Sequence, residues 1–137
     1  MTNKDIALAF FDACESGKGW AECAQYCLPD AGFRAQSGAL AGVATLEAYA
    51  EWMKGMFSPM PDASYEILSF GVDEERGSVC AAAVFKATHT GEGGPVPATG
   101  NSTASDYCYV IEFSGDKVSH MVKIWNDGFA LTELGWA

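Results

Sequence analysis

A chain of 137 residues is long enough for one domain with a buried core, and a composition 49% apolar and 12% aromatic excludes a disordered polymer. Eight basic residues against 18 acidic ones leave a net charge of −10, which repels phosphate backbones and anionic lipid, so neither nucleic acid nor membrane is an expected partner. The longest apolar run, VCAAAVF at 79–85, is too short to span a bilayer, and Asp5, Asp12 and Glu15 interrupt any leader-like N-terminal segment, so a soluble cytoplasmic protein is expected.

Helical spacing of Ile6, Ala9, Phe10, Ala13 and Cys14 predicts a helix over 3–16, capped by Thr2 or Asn3 and ended by Gly17. Trp20, Cys23, Ala24, Cys27 and Leu28 predict a second helix over 20–28, stopped by Pro29-Asp30 and packed on the first as a hairpin. The Gly-rich stretch 31–42 reads as one or two short strands with a turn at Ser37-Gly38, a small β-hairpin. A third helix over 43–57 places Leu46, Tyr49, Ala50, Met53, Met56 and Phe57 on one face, and SPMPD at 58–62 ends it.

From Ser64 the period changes to two. SYEILSFGVDE, SVCAAAVFKATHT, STASDYCYVIEFS and KVSHMVKIWND predict four antiparallel strands, and FALTELGWA a packed tail. Val79, Ala81, Ala83, Phe85, Ala87 and His89 share one face of the second strand. Helices followed by strands indicate an α+β fold. The expected architecture is one domain over 1–137, a curved antiparallel sheet wrapped around three N-terminal helices as a cone with one open end, a cystatin-like α+β roll. Residues 90–100, dense in Gly, Pro and Thr, are expected to form the pocket rim beside His89. Leu68, Phe70, Val72, Val84 and Val110 fall on the outer face by alternation, an apolar set that predicts a homodimer.

Five cysteines (Cys14, Cys23, Cys27, Cys80 and Cys108) have no framework spacing and are expected as free thiols. Cys23 and Cys27 share a predicted helix face, but no second pair or nearby histidine completes a metal site. GEGG at 91–94 is followed by a strand, not a helix, and is no dinucleotide loop. No metal and no cofactor are expected.

Three strings carry a family resemblance: QYCLPDAGF before the small hairpin, THTGE…PATGN between the middle strands, and GDKVSHMVKIWNDGFALTELG at the end. With this element order, the chain resembles the nuclear transport factor 2-like superfamily, and within it the SnoaL-like polyketide cyclases. The resemblance implies a cofactor-free acid/base mechanism in which a pocket Asp moves a proton beside a carbonyl and the enolate closes an aldol ring. It maps that Asp to Asp127 and the histidine of the HTGE string to His89. Ketosteroid isomerase-like members carry a catalytic Asp on the small hairpin, where this chain has Arg34 and Gln36, which counts against an isomerase.

Asp127 among aromatic and aliphatic walls would have a raised pKa, whereas NDG is also a turn signal in which Asp127 caps the tail. His89 is expected at the pocket mouth, within reach of a carbonyl or of Asp127. Strict alternation sets His120 opposite Trp125 and Asp127; a β-bulge would bring them to one face, and otherwise His120 belongs to a dimer face. Trp125, His120, Tyr26, Tyr49, Trp52, Phe85, Tyr109 and Arg34 are the expected pocket lining, with a small hydrophobic carbonyl compound as ligand. A binding or dimerisation module of the same fold is the alternative.

Overall fold

The computed structural model describes residues 1–137. Helix α1 (Asn3–Glu15) starts in a capping box: Asp5 N–H donates to Thr2 Oγ1 and Thr2 N–H donates to Asp5 Oδ2. It buries Ala7, Phe10, Phe11, Cys14 and Glu15 along one stripe. Helix α2 (Trp20–Cys23) is one turn long and passes through a 3-10 turn, Ala24–Tyr26, into strand β1 (Cys27–Ala35).

The second helix therefore stops before Cys27, short of the expected Leu28, and Cys23 and Cys27 do not share a helix face. Pro29 lies in the stretch where the β1 ladder skips between Cys27 and Gly32, a place that tolerates a missing amide donor. The expected hairpin at 31–42 is also absent. Gly38–Leu40 form a 3-10 turn, and an isolated bridge joins Gly32 to Thr45. Thr45 caps helix α3 (Leu46–Met56) by accepting from Ala48 N–H.

Strands β2 (Ser64–Asp73), β3 (Ser78–Thr88), β4 (Ser102–Ser114) and β5 (Lys117–Trp125) form the expected antiparallel meander, and helix α4 (Asp127–Leu134) ends the chain. The sheet is curved and unclosed, in the order β1-β5-β4-β3-β2. It is mixed rather than wholly antiparallel, because β1 runs parallel to β5. The long connection through α3 and the meander permits this, since β1 meets the free edge that β5 leaves. The α+β class holds, with four helices in place of three: α1, α2 and α3 on the inner face, and α4 at one end of the roll.

Two bulges decide which residues face inward. Leu68 has no partner between Ile67 and Ser69, so Phe70 pairs with Ala81 and packs on the core, while Leu68 stays 58% exposed. Phe70 and Val72, which pairs with the inward Val79, are thus not outer-face residues. Ser119 is extra between Val118 and His120, so Val118, Met121, Lys123 and Trp125 all face inward, and His120, Val122 and Ile124 face outward. The core packs Phe10 and Phe11 of α1 and Leu46, Tyr49 and Met53 of α3 against Val79, Ala81, Tyr109, Ile111 and Met121. Small side chains at Ala81 and Ala83 leave room for the aromatic rings. No helix is long and apolar enough to cross a membrane.

Candidate active site

A cavity of about 50 Å³ lies between the sheet, α3 and α4. Its walls are apolar: Trp52, Met53 and Met56 from α3, Met60 after it, Phe85 and Trp125 from the sheet, Leu131 and Leu134 from α4, and Trp136. Three ionisable side chains interrupt that wall, Glu15, Tyr107 and Lys123.

Lys123 comes inward because it keeps the alternation of Met121 and Trp125, beyond the bulge at Ser119. It is 6% exposed. Its Nζ donates to Tyr49 Oη at 2.9 Å, and Tyr49 Oη shares a second hydrogen bond with Tyr109 Oη. Nζ stands 4.2 Å from the centre of the Trp125 ring, with the rings of Tyr49, Trp52, Tyr107 and Tyr109 between 5.1 and 5.8 Å away. Aromatic faces favour the ammonium, but burial wins and pulls its pKa down to about 8, against the opposing charges of Glu15 and Cys14.

Glu15 is the last residue of α1 and is 1% exposed. Burial pushes its carboxyl up from the ordinary range, the positive charge of Lys123 and the hydroxyls of Tyr107 and Tyr109 opposing it. Those hydroxyls are close enough to favour the anion, yet neither Glu15 Oε2 nor Tyr107 Oη has a hydrogen bond of good geometry. Burial also raises Tyr49, Tyr107 and Tyr109, so they remain protonated. Burial lifts the acid and lowers the amine, which brings their proton affinities closer together and favours proton exchange with a bound carbon acid.

The expected residues fall into three groups. Trp125, Trp52 and Phe85 line the cavity. Tyr49 and Tyr109 are fully buried behind Lys123 and reach the site through hydrogen bonds. The others do not line it. Tyr26 packs on the core from the 3-10 turn, and Arg34 is exposed at the outer side of β1. His120 faces outward and pairs with Glu112, Nδ1 to Oε2 at 2.7 Å, which corrects its place in the lining. The bulge lies at Ser119, before His120, so unbroken alternation from His120 to Trp125 leaves the two on opposite faces.

Asp127 opens α4 and accepts from Ala39 N–H and Gly128 N–H, both at 2.9 Å. The Ala39 amide, with a smaller contribution from Ser37, holds its carboxyl below the ordinary range, not above it as an apolar setting would. It fastens α4 to the 38–40 turn outside the cavity wall and makes no hydrogen bond to His89. Asp127→Ala should lower stability by about 1 kcal/mol in thermal melts at pH 7. A folded-state pKa below the unfolded one gives stability that is present above pH ~4 and lost on further acidification, so the gap between variant and wild type should close there.

His89 is fully buried, behind Trp136 rather than at the mouth. Its Nδ1 accepts from Trp136 Nε1 at 2.9 Å and from Thr99 N–H at 3.2 Å. The loop 90–100 wraps around it and supplies no cavity-lining side chain; its Thr99 Oγ1 instead donates to Leu134 O at the end of α4. Gly135, with φ 76°, lets the chain turn there, and Trp136 N–H returns to Leu131 O. The loop is a buttress for the C-terminal wall and touches the cavity through Trp136.

Sequence reasoning missed Glu15 and Lys123. Glu15 was legible: Ala7, Phe11, Cys14 and Glu15 follow the i, i+4, i+7, i+8 spacing of the buried stripe. Lys123 shares the parity of Trp125, two residues on.

In comparisons with known proteins, no curated protein matches. Solved structures of the same fold cover nearly the whole chain. AclR from Streptomyces galilaeus, a proposed hydroxylase, superposes with a TM-score of 0.79 at 21% identity over 98% of this chain and 96% of that one. IdmH from Streptomyces antibioticus, a proposed polyketide cyclase, gives 0.80 at 18% identity over 98% and 99%. A SnoaL-like protein from Jannaschia sp. CCS1 gives 0.77 at 18% over 98% and 92%. At these identities the likeness shows the fold. The family model for SnoaL-like polyketide cyclase matches residues 5–133, nearly the whole length. The chain belongs to the SnoaL-like polyketide cyclase family.

Proposed function

We propose that the protein is an acid/base enzyme acting on a small hydrophobic carbonyl compound, with Glu15 as the proton carrier. The observation that carries this reading is a buried carboxyl without a well-formed hydrogen bond to Oε2, set in an apolar cavity beside a buried lysine and a buried tyrosine hydroxyl. A carbonyl oxygen directed at Tyr107 Oη and Lys123 finds donors, and its α-carbon then faces Glu15. The carboxylate takes the α-proton, the donors hold the enolate oxygen, and the enolate attacks a second carbonyl of the same molecule, as in an intramolecular aldol closure. Protein side chains supply every group these steps need.

The test is α-proton exchange. Incubation with small 1,3-dicarbonyl compounds and methyl ketones in D₂O, followed by NMR, should show deuterium entering the α-position faster than in buffer. Binding without any acceleration across such a panel would favour a non-catalytic binding module.

The cavity's volume suits a few waters or a small ketone rather than a polycyclic ring system. Larger ligands must displace the C-terminal wall, which the Trp136–His89 and Thr99–Leu134 hydrogen bonds hold. Trp136→Ala should therefore raise kcat/KM for bulkier ketones several-fold and leave the smallest nearly unchanged. Steady-state kinetics across a size series reads this.

We also propose a homodimer through the outer sheet face, where Ile124 is 60% exposed beside Val122, Val110 and Val84. Sedimentation should report twice the 14.5 kDa chain mass, and a monomer at micromolar concentration would remove the argument.

A further inference from the structure

We propose that Lys123 is a nucleophile that captures the carbonyl compound covalently, forming a protonated Schiff base inside the cavity. This deepens the carbonyl-substrate reading and rests on it.

Three observations carry it. First, Lys123 is buried yet has no carboxylate at ion-pair distance; its one hydrogen bond goes to a tyrosine hydroxyl. A buried lysine kept for structure ordinarily has a charged partner. Here Glu15 lines the same cavity but is not paired with it. Secondly, aromatic rings sleeve the amine, with Trp125 at 4.2 Å. That sleeve excludes bulk water, which would otherwise hydrolyse an iminium, and orients Nζ between the Tyr49 hydroxyl and the cavity. Thirdly, Glu15 and Tyr107 present unpartnered polar atoms in the same enclosure and can move the protons that condensation requires. Support comes from the depressed basicity of the amine: on the order of a tenth of it is neutral at pH 7, against well under a thousandth for an ordinary lysine.

The steps balance without an oxidant or reductant. The neutral Nζ lone pair attacks the carbonyl carbon, a C–N bond forms, and the π pair moves to oxygen, which takes a proton from the Glu15 carboxyl. The nitrogen loses a proton to the resulting carboxylate. Glu15 returns that proton to the hydroxyl, the C–O bond breaks, and water leaves with the oxygen. The product is C=N⁺H–Lys123. Removal of an α-proton by the Glu15 carboxylate turns the iminium into an enamine, whose carbon can attack a second carbonyl. Readdition of water frees the amine. An iminium accepts the α-carbon electron pair better than a ketone, so the lysine lowers the barrier to the same proton transfer.

The experiment is reductive trapping. The protein is incubated with 2-pentanone at pH 7 and treated with sodium borohydride; intact mass and peptide mapping locate the adduct, and tryptophan fluorescence follows ketone binding in parallel. The expected result is one pentyl adduct per chain, on Lys123, formed at least tenfold faster than on Lys4, Lys18, Lys54 or Lys86. It is lost in Lys123→Met with the far-UV spectrum retained, and it is absent when 2-pentanol replaces the ketone. Binding or α-deuteration without a Lys123 adduct would overturn the nucleophile and leave the carbonyl-substrate reading standing. Trapping spread evenly over surface lysines also overturns it. Neither binding nor adduct would overturn both.

Discussion

Lys123→Met should raise the stability of the protein while abolishing its chemistry. The side chain is 6% exposed, and burial brings its pKa from 10.5 down to about 8. At pH 7 that difference costs the folded state about 3 kcal/mol relative to an unperturbed lysine. Methionine has a similar length and no charge, and the change forfeits about 1 kcal/mol for the bond to Tyr49. The net gain should be roughly 1–2 kcal/mol, or about 5 °C in Tm. Glu15, deprived of a neighbouring cation, takes up a proton rather than remaining as a buried anion. The pH dependence has a definite sign. Between about pH 8 and pH 10.5 the unfolded chain holds a proton on Lys123 that the folded chain has lost, so wild-type stability gains from this residue as pH rises through that window. The advantage of the variant is therefore full at pH 7 and gone by about pH 10.5. Thermal melts of both proteins at several pH values read the difference and cancel the other groups. A Tm several degrees below wild type at pH 7 would mean that the lysine is structural.

The α+β roll was legible because its signals are local and redundant: helical stripes up to Met56, then period-two strands separated by EERG and SGDK. Capping at Thr2 and Thr45 repeats at each helix start what the stripe says. Errors came where a distant partner overrides local pattern. Cys27 and Leu28 continue a helical spacing, yet the free edge of β5 draws them into a parallel strand. Nothing within 27–35 names that edge. The small hairpin failed for the same reason. In the site, alternation placed Trp125 and Phe85 correctly and set His120 opposite Trp125, but it could not locate the bulges at Leu68 and Ser119; the first sent Phe70 inward, and the second put Val118 on the same inner face as Met121. Family resemblance drew attention to Asp127 and His89, which the fold uses at the C-terminal wall: one fastens α4 to the 38–40 turn, the other anchors Trp136. Glu15 escaped notice because a charge on a helix ordinarily faces water, although its spacing continues the buried stripe of Ala7, Phe11 and Cys14.

Glu15→Gln should slow turnover by at least about a hundredfold, the usual contribution of a positioned acid/base group. Glutamine keeps the size and the acceptor oxygen, but it cannot hold the transferred proton. KM should change little, since the amide still fills the same space in the cavity. Stability should hold or rise, because a desolvated carboxylate is removed from the core. The wild-type rate should climb with pH as Glu15 ionises through its raised pKa, and that rising limb should vanish in the variant.

Side-by-side rates of α-deuteration at pH 7 for wild type, Glu15→Gln and Asp127→Asn, on one small ketone, test the assignment most directly. The cavity geometry predicts a loss of about a hundredfold or more for Glu15→Gln and a change within about threefold for Asp127→Asn. The reverse order, a silent Glu15→Gln and an inactive but folded Asp127→Asn, would contradict it.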